Sequence, residues 1–356
     1  MKAIRINTLT SQGFDHVNVE EVEPINPGRG QVRVRMLYSP VNPSDHNFIH
    51  GTYSDALGRL AWNHGQDRFT FDPERKEPIA TPPYTLGGEG IGMVEAHGGG
   101  FMAKRLMGKR VAVAAGPPQG TWQESVVVDA RRALSLPENV SDQQGSMFFV
   151  NPISACVMVH KVLQVQRGGV LLQTGAAGAV GQMVIALSKR TGFKTINLVR
   201  SEAGAQTVRE LGGDYVIFEQ DRDMRRQILT ASGGKGVQYA LDCVGGDLLS
   251  SLFSVLTVQG KMLLYGTLGG ASSSLMSRDL MMPMASVNGF LLPTWLKHQS
   301  IFSILNILKQ VKQLLASGDF STAIAHTYAL DDIRQALKHS VTPEKSGKVL
   351  LKIGQH

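Results

Sequence analysis

The stretch from Val170 to Ser201, VLLQTGAAGAVGQMVIALSKRTGFKTINLVRS, holds the residues with the clearest chemistry. An apolar run leads to glycines at 175, 178 and 181, then to an apolar segment of helical spacing, then to a second apolar run ending on Arg200. Small residues at such a turn let the backbone come close to an anion. The amides of a helix that begins there point at the anion, helped by the helix dipole. Between strand and helix, this pattern cradles a dinucleotide pyrophosphate, with one glycine at the closest approach and another where helix packs on strand. The turn comprises Gly175, Ala176, Ala177, Gly178, Ala179, Val180 and Gly181, with Ala176 where the first glycine of the motif usually stands. On its own the motif also fits a mere tight turn. The end of the second run sorts the ligand. A carboxylate there would bind a ribose hydroxyl and repel a 2′-phosphate. The chain has Arg200-Ser201 and no acid before Glu202. A guanidinium grips a phosphate through two parallel hydrogen bonds, so the expected cofactor is NADPH. The alternative is that Arg200 is a solvated cation at a strand end.

The elements around this turn define its setting. Buried-type strands are expected at Val170–Gln173, Thr195–Val199, Tyr215–Phe218, Gln238–Asp242 and Lys261–Tyr265, with helices from Gln182, Ala203, Asp223 and Asp247 between them. Such alternation predicts a Rossmann-type, doubly wound parallel sheet over 146–315. Ser300–Asp319 has apolar residues at helical spacing and a glycine stop at Gly318. Residues 1–145 differ: short alternating strands broken by Gly and Pro suggest a small barrel or sandwich, and 316–356 is expected to return to it. The segment from Gly58 to Pro83 reads as a long loop or excursion.

Composition sets outer bounds. The chain has 356 residues, enough for two domains, with 42% hydrophobic and 18% charged residues, as in ordinary globular proteins. The net charge of +7 is a mild excess, read first as a solvated basic surface and second as an attraction for anionic ligands. The basic residues are scattered, with no aromatic-interleaved stripe, so nucleic acid is not an expected partner. Cys156 and Cys243 lie in apolar contexts and read as core thiols. No apolar run is long enough for a transmembrane helix. The N-terminus opens directly as a strand, so a cytoplasmic location is expected.

Over nearly its whole length the chain resembles the medium-chain dehydrogenase/reductase superfamily. The resemblance is carried by SPVNPSDHNFIHGTY (39–53), LGGEGIGMVEAHG (86–98), GTWQESVVVDA (120–130), NPISA (151–155), TGAAGAVGQ, INLVRS, YGTLGG (265–270) and NGFLLPTW (288–295). It is closest to the zinc-independent quinone oxidoreductases and 2-enoyl thioester reductases. The implied fold is α/β: a GroES-like β-rich catalytic domain interrupted by a Rossmann domain. Zinc alcohol dehydrogenases are similar, but carry a ligand Cys in the first stretch and Gly-His-Glu in the second. Here the first reads Val41-Asn42-Pro43-Ser44-Asp45 and the second Gly87-Gly88-Glu89. Without thiolate and imidazole in those places no metal site is expected. His46 and His50, four apart, read as surface or pocket residues.

The resemblance implies NADPH-dependent, metal-free reduction of an α,β-unsaturated carbonyl, with a 2-enoyl thioester on CoA or acyl carrier protein as leading substrate. Conjugate reduction needs donors at the developing enolate oxygen and a proton at the α-carbon. Tyr53, closing HGTY, stands where the thioester reductases carry the tyrosine implicated in that work. The plainer role for Tyr53 is an amphipathic wall residue. Trp295 resembles the substrate-pocket tryptophan, and Asn42 and Asp45 match a stretch near the nicotinamide end of the cleft. Ser154, Gly266, Thr267 and Phe290 are implied nicotinamide neighbours, and Lys348 resembles a lysine that reaches a phosphate. Trp62, His64, Phe69 and Phe71 are candidates for a pocket wall or for loop packing. A homodimer through the methionine-rich ASSSLMSRDLMMPMASV is implied. Two alternatives stand beside this reading: quinone or small-enone reduction, and a nucleotide-binding role without catalysis.

Overall fold

A computed structural model describes residues 1–10, 13–53, 61–64, 67–70, 81–270, 272–342 and 347–355, with only the backbone considered for 61–64 and 67–70. The chain divides into two compact units, Met1–Phe149 with Ala323–His356, and Val150–Thr322.

The second unit is built on a six-stranded, all-parallel sheet. In chain order its strands are Val170–Gln173, Lys194–Val199, Tyr215–Phe218, Val237–Asp242, Leu256–Leu264 and Ser286–Gly289. In space they lie in the order three-two-one-four-five-six. That is the doubly wound arrangement, whose chain reversal beside the first strand opens a crevice at the carboxyl ends of the strands. Parallel strands covered on both faces must be apolar on both. Leu172, Ile196, Leu198, Ile217, Ala240 and Met262 accordingly pack with Ile228, Leu252 and Phe253 of the covering helices in one core. Two polar side chains interrupt it. The Gln173 amide donates to Asn197 Oδ1 at 2.8 Å and to the Gly181 carbonyl at 3.1 Å, while the Asn197 amide donates to the Tyr215 carbonyl at 2.9 Å. Both side chains are buried. They link three strands and tie the glycine-turn helix Ala179–Thr191 to the sheet beneath it.

The first unit is mostly antiparallel. Gln31–Pro40 is its central strand, paired with Glu89–His97, with Ser125–Asp129 and, through the C-terminal return, with Lys348–Lys352. Its alternation is visible in the burial of Val32, Val34 and Met36 against Val111, Val113, Val126 and Val128. The returning strand Lys348–Lys352 is buried over its first four residues, so sequence-distant Lys348 is brought beside Pro40 and the helix that follows it.

The segment expected to be a loop contains a hairpin: Ala61–His64 pairs antiparallel with Asp67–Thr70, setting Trp62 opposite Phe69. Two residues, Gly65 and Gln66, separate the strands in sequence. A Gly-X pair between alternating runs is a hairpin signal that the prolines and charges around it obscured. The side chains of Trp62, His64 and Phe69, and the whole of Phe71, lie outside the described residues. Both cysteines are buried and neither forms a disulfide. Among the described residues, no helix is long and apolar enough to cross a membrane.

Replacing Gln173 with Leu removes the donor that serves both Asn197 Oδ1 and the Gly181 carbonyl. Burying acceptors without partners costs about 1–3 kcal/mol. A lowered urea midpoint is expected, with an unchanged midpoint contradicting this account of the sheet.

Candidate functional site

The glycine turn sits at the carboxyl end of the first parallel strand. Thr174 donates its N–H to the Leu241 carbonyl at 3.0 Å and Ala176 to the Leu198 carbonyl at 3.2 Å. The chain is thereby laced to both neighbouring strands just before it turns. Gly175 has φ +58°, and a Cβ there would lie 2.6 Å from Cys243 Sγ. A Cβ on Gly181 would stand 2.4 Å from the Ala176 carbonyl oxygen. Only hydrogen fits at either place. Gly178 caps the helix Ala179–Thr191 with an extended backbone, and Ala179 and Val180 lie in its first turn. The first amides of a helix have no intrahelical acceptor, and here they face the sheet edge where the turn is partly exposed. This cradle fits a nicotinamide dinucleotide.

A second set of small residues borders the same edge. Gly266 approaches so closely that a Cβ would lie 2.6 Å from the Cys243 carbonyl oxygen. Leu268 donates to that oxygen at 3.1 Å, keeping Thr267 at the carboxyl end of its strand. Phe290 follows the sixth strand and donates its N–H to the Leu264 carbonyl at 2.8 Å. Thus the glycine turn, Gly266-Thr267 and Phe290 are brought to one edge of one sheet. Ser154 is buried on the helix Asn151–Val157 of the same unit. Trp295 is half-buried on the helix Leu292–Lys297.

Arg200 stands at the end of the second strand. Its side chain is 70% exposed, with Nε 3.9 Å from Glu219 Oε1. That distance is a loose ion pair, and it leaves the guanidinium largely in water. Burial pushes the Glu219 carboxyl up, against the opposing pull of Arg200. The Ser201 hydroxyl accepts from Gly204 N–H at 3.2 Å and so caps the next helix. A cavity of about 660 Å3 opens nearby, with Glu219, Met224, Arg225, Val244, Asp247 and Leu248 among its lining.

Sequence reasoning missed the anchor of this edge, Asp242. Its buried carboxylate accepts from Thr174 Oγ1 at 2.6 Å, from Val244 N–H at 2.9 Å and from Gly245 N–H at 3.0 Å. Thr174 Oγ1 in turn accepts from Cys243 N–H at 2.9 Å. Two strand ends are thereby locked together under the glycine turn. The signal was available: an acid ending a buried strand before a Gly-Gly turn favours an Asx-type bond to its own backbone.

The first unit gathers a different constellation. Asn42 caps the helix Pro43–Ile49, donating its own N–H to Asp45 Oδ2 at 2.8 Å. Its side-chain amide donates to Glu89 Oε1 at 3.0 Å, and Glu89 Oε2 accepts from Phe149 N–H at 2.8 Å. The Lys348 ammonium donates to Asn42 Oδ1. All four side chains are buried. Burial pushes the Asp45 carboxyl up to about 7, Glu89 adding to the rise while Lys348 and the amides of Asn42 and Gly88 oppose it. Lys348, which the sequence suggested for a phosphate, is therefore placed on Asn42. Glu89, which the sequence shows only as the acid of Gly87-Gly88-Glu89, is a member of the cluster. Tyr53 lies beyond the same helix, half-buried, its ring edge-on to Phe48 with centroids 5.0 Å apart. Its phenol makes no hydrogen bond to another described residue.

A family model described as "Alcohol dehydrogenase GroES-like domain" matches residues 28–138, and one described as "Zinc-binding dehydrogenase" matches 179–310. The mitochondrial enoyl-[acyl-carrier-protein] reductase of Mus musculus is 28% identical over 329 residues, covering 90% of this chain and 80% of the relative. That of Caenorhabditis elegans is 26% identical, covering 96% and 94%. Among solved structures, a Bacillus thuringiensis protein provisionally named an NADPH:quinone reductase superposes with TM-score 0.84 at 27% identity, over 99% of this chain and 98% of that one. The Escherichia coli quinone oxidoreductase in complex with NADPH, at 22% identity and TM-score 0.85 over 99% and 100%, shares the fold. The zinc in one family description does not fit the residues present. Asn42 offers an amide already held between Glu89 and Lys348, and Gly88 offers no ligand at all. The nicotinamide-dinucleotide cradle, the doubly wound sheet and these relatives agree: the chain belongs to the medium-chain dehydrogenase/reductase superfamily, as an oxidoreductase of its zinc-independent, enoyl- and quinone-reductase-like kind.

Proposed function

We propose that the protein is an NADPH-dependent reductase of α,β-unsaturated carbonyls, with 2-enoyl thioesters on CoA or acyl carrier protein as leading substrates. The observation that carries the reading is the pairing of a glycine cradle only hydrogen can fill with an exposed, loosely held Arg200 at the end of the next strand. The names of the enoyl reductase relatives supply the substrate class.

Bound NADPH supplies the hydride. The chain's residues do the rest. The main-chain donors of Ala177, Ala179, Val180 and Gly181 hold the pyrophosphate, with the helix dipole behind them, while those of Ala176 and Gly178 are bonded to the Leu198 and Gly175 carbonyls and fix the turn. Arg200 grips the 2′-phosphate, aided by Ser201. Ser154, Gly266, Thr267 and Phe290 shape the nicotinamide end. Tyr53 donates a hydrogen bond to the carbonyl oxygen as charge develops there and gives the proton that the α-carbon takes, regaining it from solvent; Asn42 and Asp45 in the first unit, and Trp295 in the second, are the substrate-end candidates. No step calls on a metal.

Quinone or small-enone reduction is the second reading, favoured by the likeness to the Bacillus thuringiensis structure. It does not need a proton-donating tyrosine. We also take the chain to be a cytoplasmic homodimer. Support comes from the largely exposed Met276, Met281, Met282 and Met284 beside the edge strand Ser286–Gly289, and from the buried free thiols.

Arg200→Ala is expected to raise the KM for NADPH by roughly 10–100-fold, the worth of a charge-assisted hydrogen bond, while leaving that for NADH in place. Equal effects on both coenzymes would remove Arg200 from the 2′-phosphate. Tyr53→Phe is expected to lower kcat on 2-enoyl-CoA by about 100-fold or more, the usual contribution of a positioned proton donor. An unchanged kcat, with quinones still reduced, would shift the assignment to the second reading.

A further inference from the structure

The buried cluster of the first unit is keyed by the chemistry of a single amide. A side-chain amide offers a donor at one end and an acceptor at the other. An ionised carboxylate only accepts, and an ammonium only donates. With Glu89 on one side and Lys348 on the other, Asn42 has one satisfactory orientation: Nδ2 toward Glu89 Oε1 at 3.0 Å and Oδ1 toward Lys348 Nζ. Glu89 is itself pinned, because Oε2 takes Phe149 N–H at 2.8 Å. Lys348 is only 8% exposed and Glu89 0%. A charge buried to that degree is kept ionised by paired, hydrogen-bonded partners.

We propose that the Lys348 ammonium is the cation of this buried cluster and that Glu89 is the positioning residue that holds it there through Asn42. The link to turnover rests on the reductase reading given above; the charge arrangement does not.

The cation acts on Asp45. The groups that face this carboxyl are Lys348 on the returning strand, Glu89 on its own strand, and the amides of Asn42 and Gly88. Lys348 favours the ionised carboxylate and Glu89 disfavours it. Removing the ammonium must therefore raise the pH at which Asp45 titrates.

The test uses the full chain with carbon-13-labelled aspartate and no substrate. Lys348→Met is expected to move the Asp45 carboxyl midpoint upward by about one pH unit or more, the size of effect a close opposite charge exerts, while Lys348→Arg holds it in place. Asn42→Ala, which keeps the lysine but removes the Asn42 acceptor, gives a second reading in the same direction should Lys348→Met fail to fold. A midpoint that stays put in whichever of these folds overturns the proposal, whatever substrate the enzyme uses. A swap tests the key itself. N42D sets two carboxylates against each other, and E89Q leaves the amide without a fixed sense. In N42D/E89Q the introduced amide donates to the introduced carboxylate, which still accepts from Lys348, and its oxygen still takes Phe149 N–H. Each single change is expected to lower kcat with the pH profile displaced, and the double change to recover both. Losses that simply add in the double variant would mean that the amide is not the key.

Discussion

Gly181 has no room for a side chain. The contact between its Cα and the Ala176 carbonyl fixes how closely the glycine-turn helix lies on the first strand, and so where its leading amides point. Pyrophosphate recognition by main-chain donors depends on that approach, because a backbone cannot reach further as a side chain can. Other features of the second unit serve to hold the same geometry. Gln173 bonds the Gly181 carbonyl from below, and Asp242 locks Thr174 to the loop after the fourth strand. Gly175 takes a left-handed turn against Cys243. The parallel sheet supplies the frame, and its carboxyl edge gathers the loops that follow its strands.

The first unit solves an electrostatic problem instead. Two carboxylates and an ammonium are buried within one cluster, and an amide that can face only one way joins them. Such a group costs desolvation that apolar residues would avoid. What it provides is a fixed arrangement of charge beside the helix Pro43–Ile49. Metal-dependent members of the superfamily place a divalent ion among thiolate and imidazole; this chain has neither there.

Much of this was legible in the sequence. The glycine turn, the five strand segments around it and the final strand–helix–strand return all carry strong local signals, since buried parallel strands are continuous apolar runs and their turns need small residues. Arg200 could be placed because a strand end is a position that a period pattern defines. The Asn42–Lys348 bond joins residues 306 apart and depends on which strand the returning chain pairs with; no local pattern encodes that. Glu89 was hidden for a related reason: within EGIGMVEAH it reads as the polar start of a strand, and its burial follows only from Ser39, Asn42 and Phe149 closing around it. The hairpin at 61–70 was overlooked because its four-residue strands are short and lie amid charges and prolines. The roles of Tyr53 and Trp295 came through the resemblance, and the geometry of each is compatible with a pocket wall as well as with chemistry.

Dinucleotide recognition by the glycine cradle underlies every other role proposed for these residues. Isothermal titration of the wild-type protein with NADPH and with NADH, in the absence of any substrate, addresses it most directly. The prediction is saturable one-to-one binding of NADPH, tighter than that of NADH. Failure of both coenzymes to bind at millimolar concentration would contradict it.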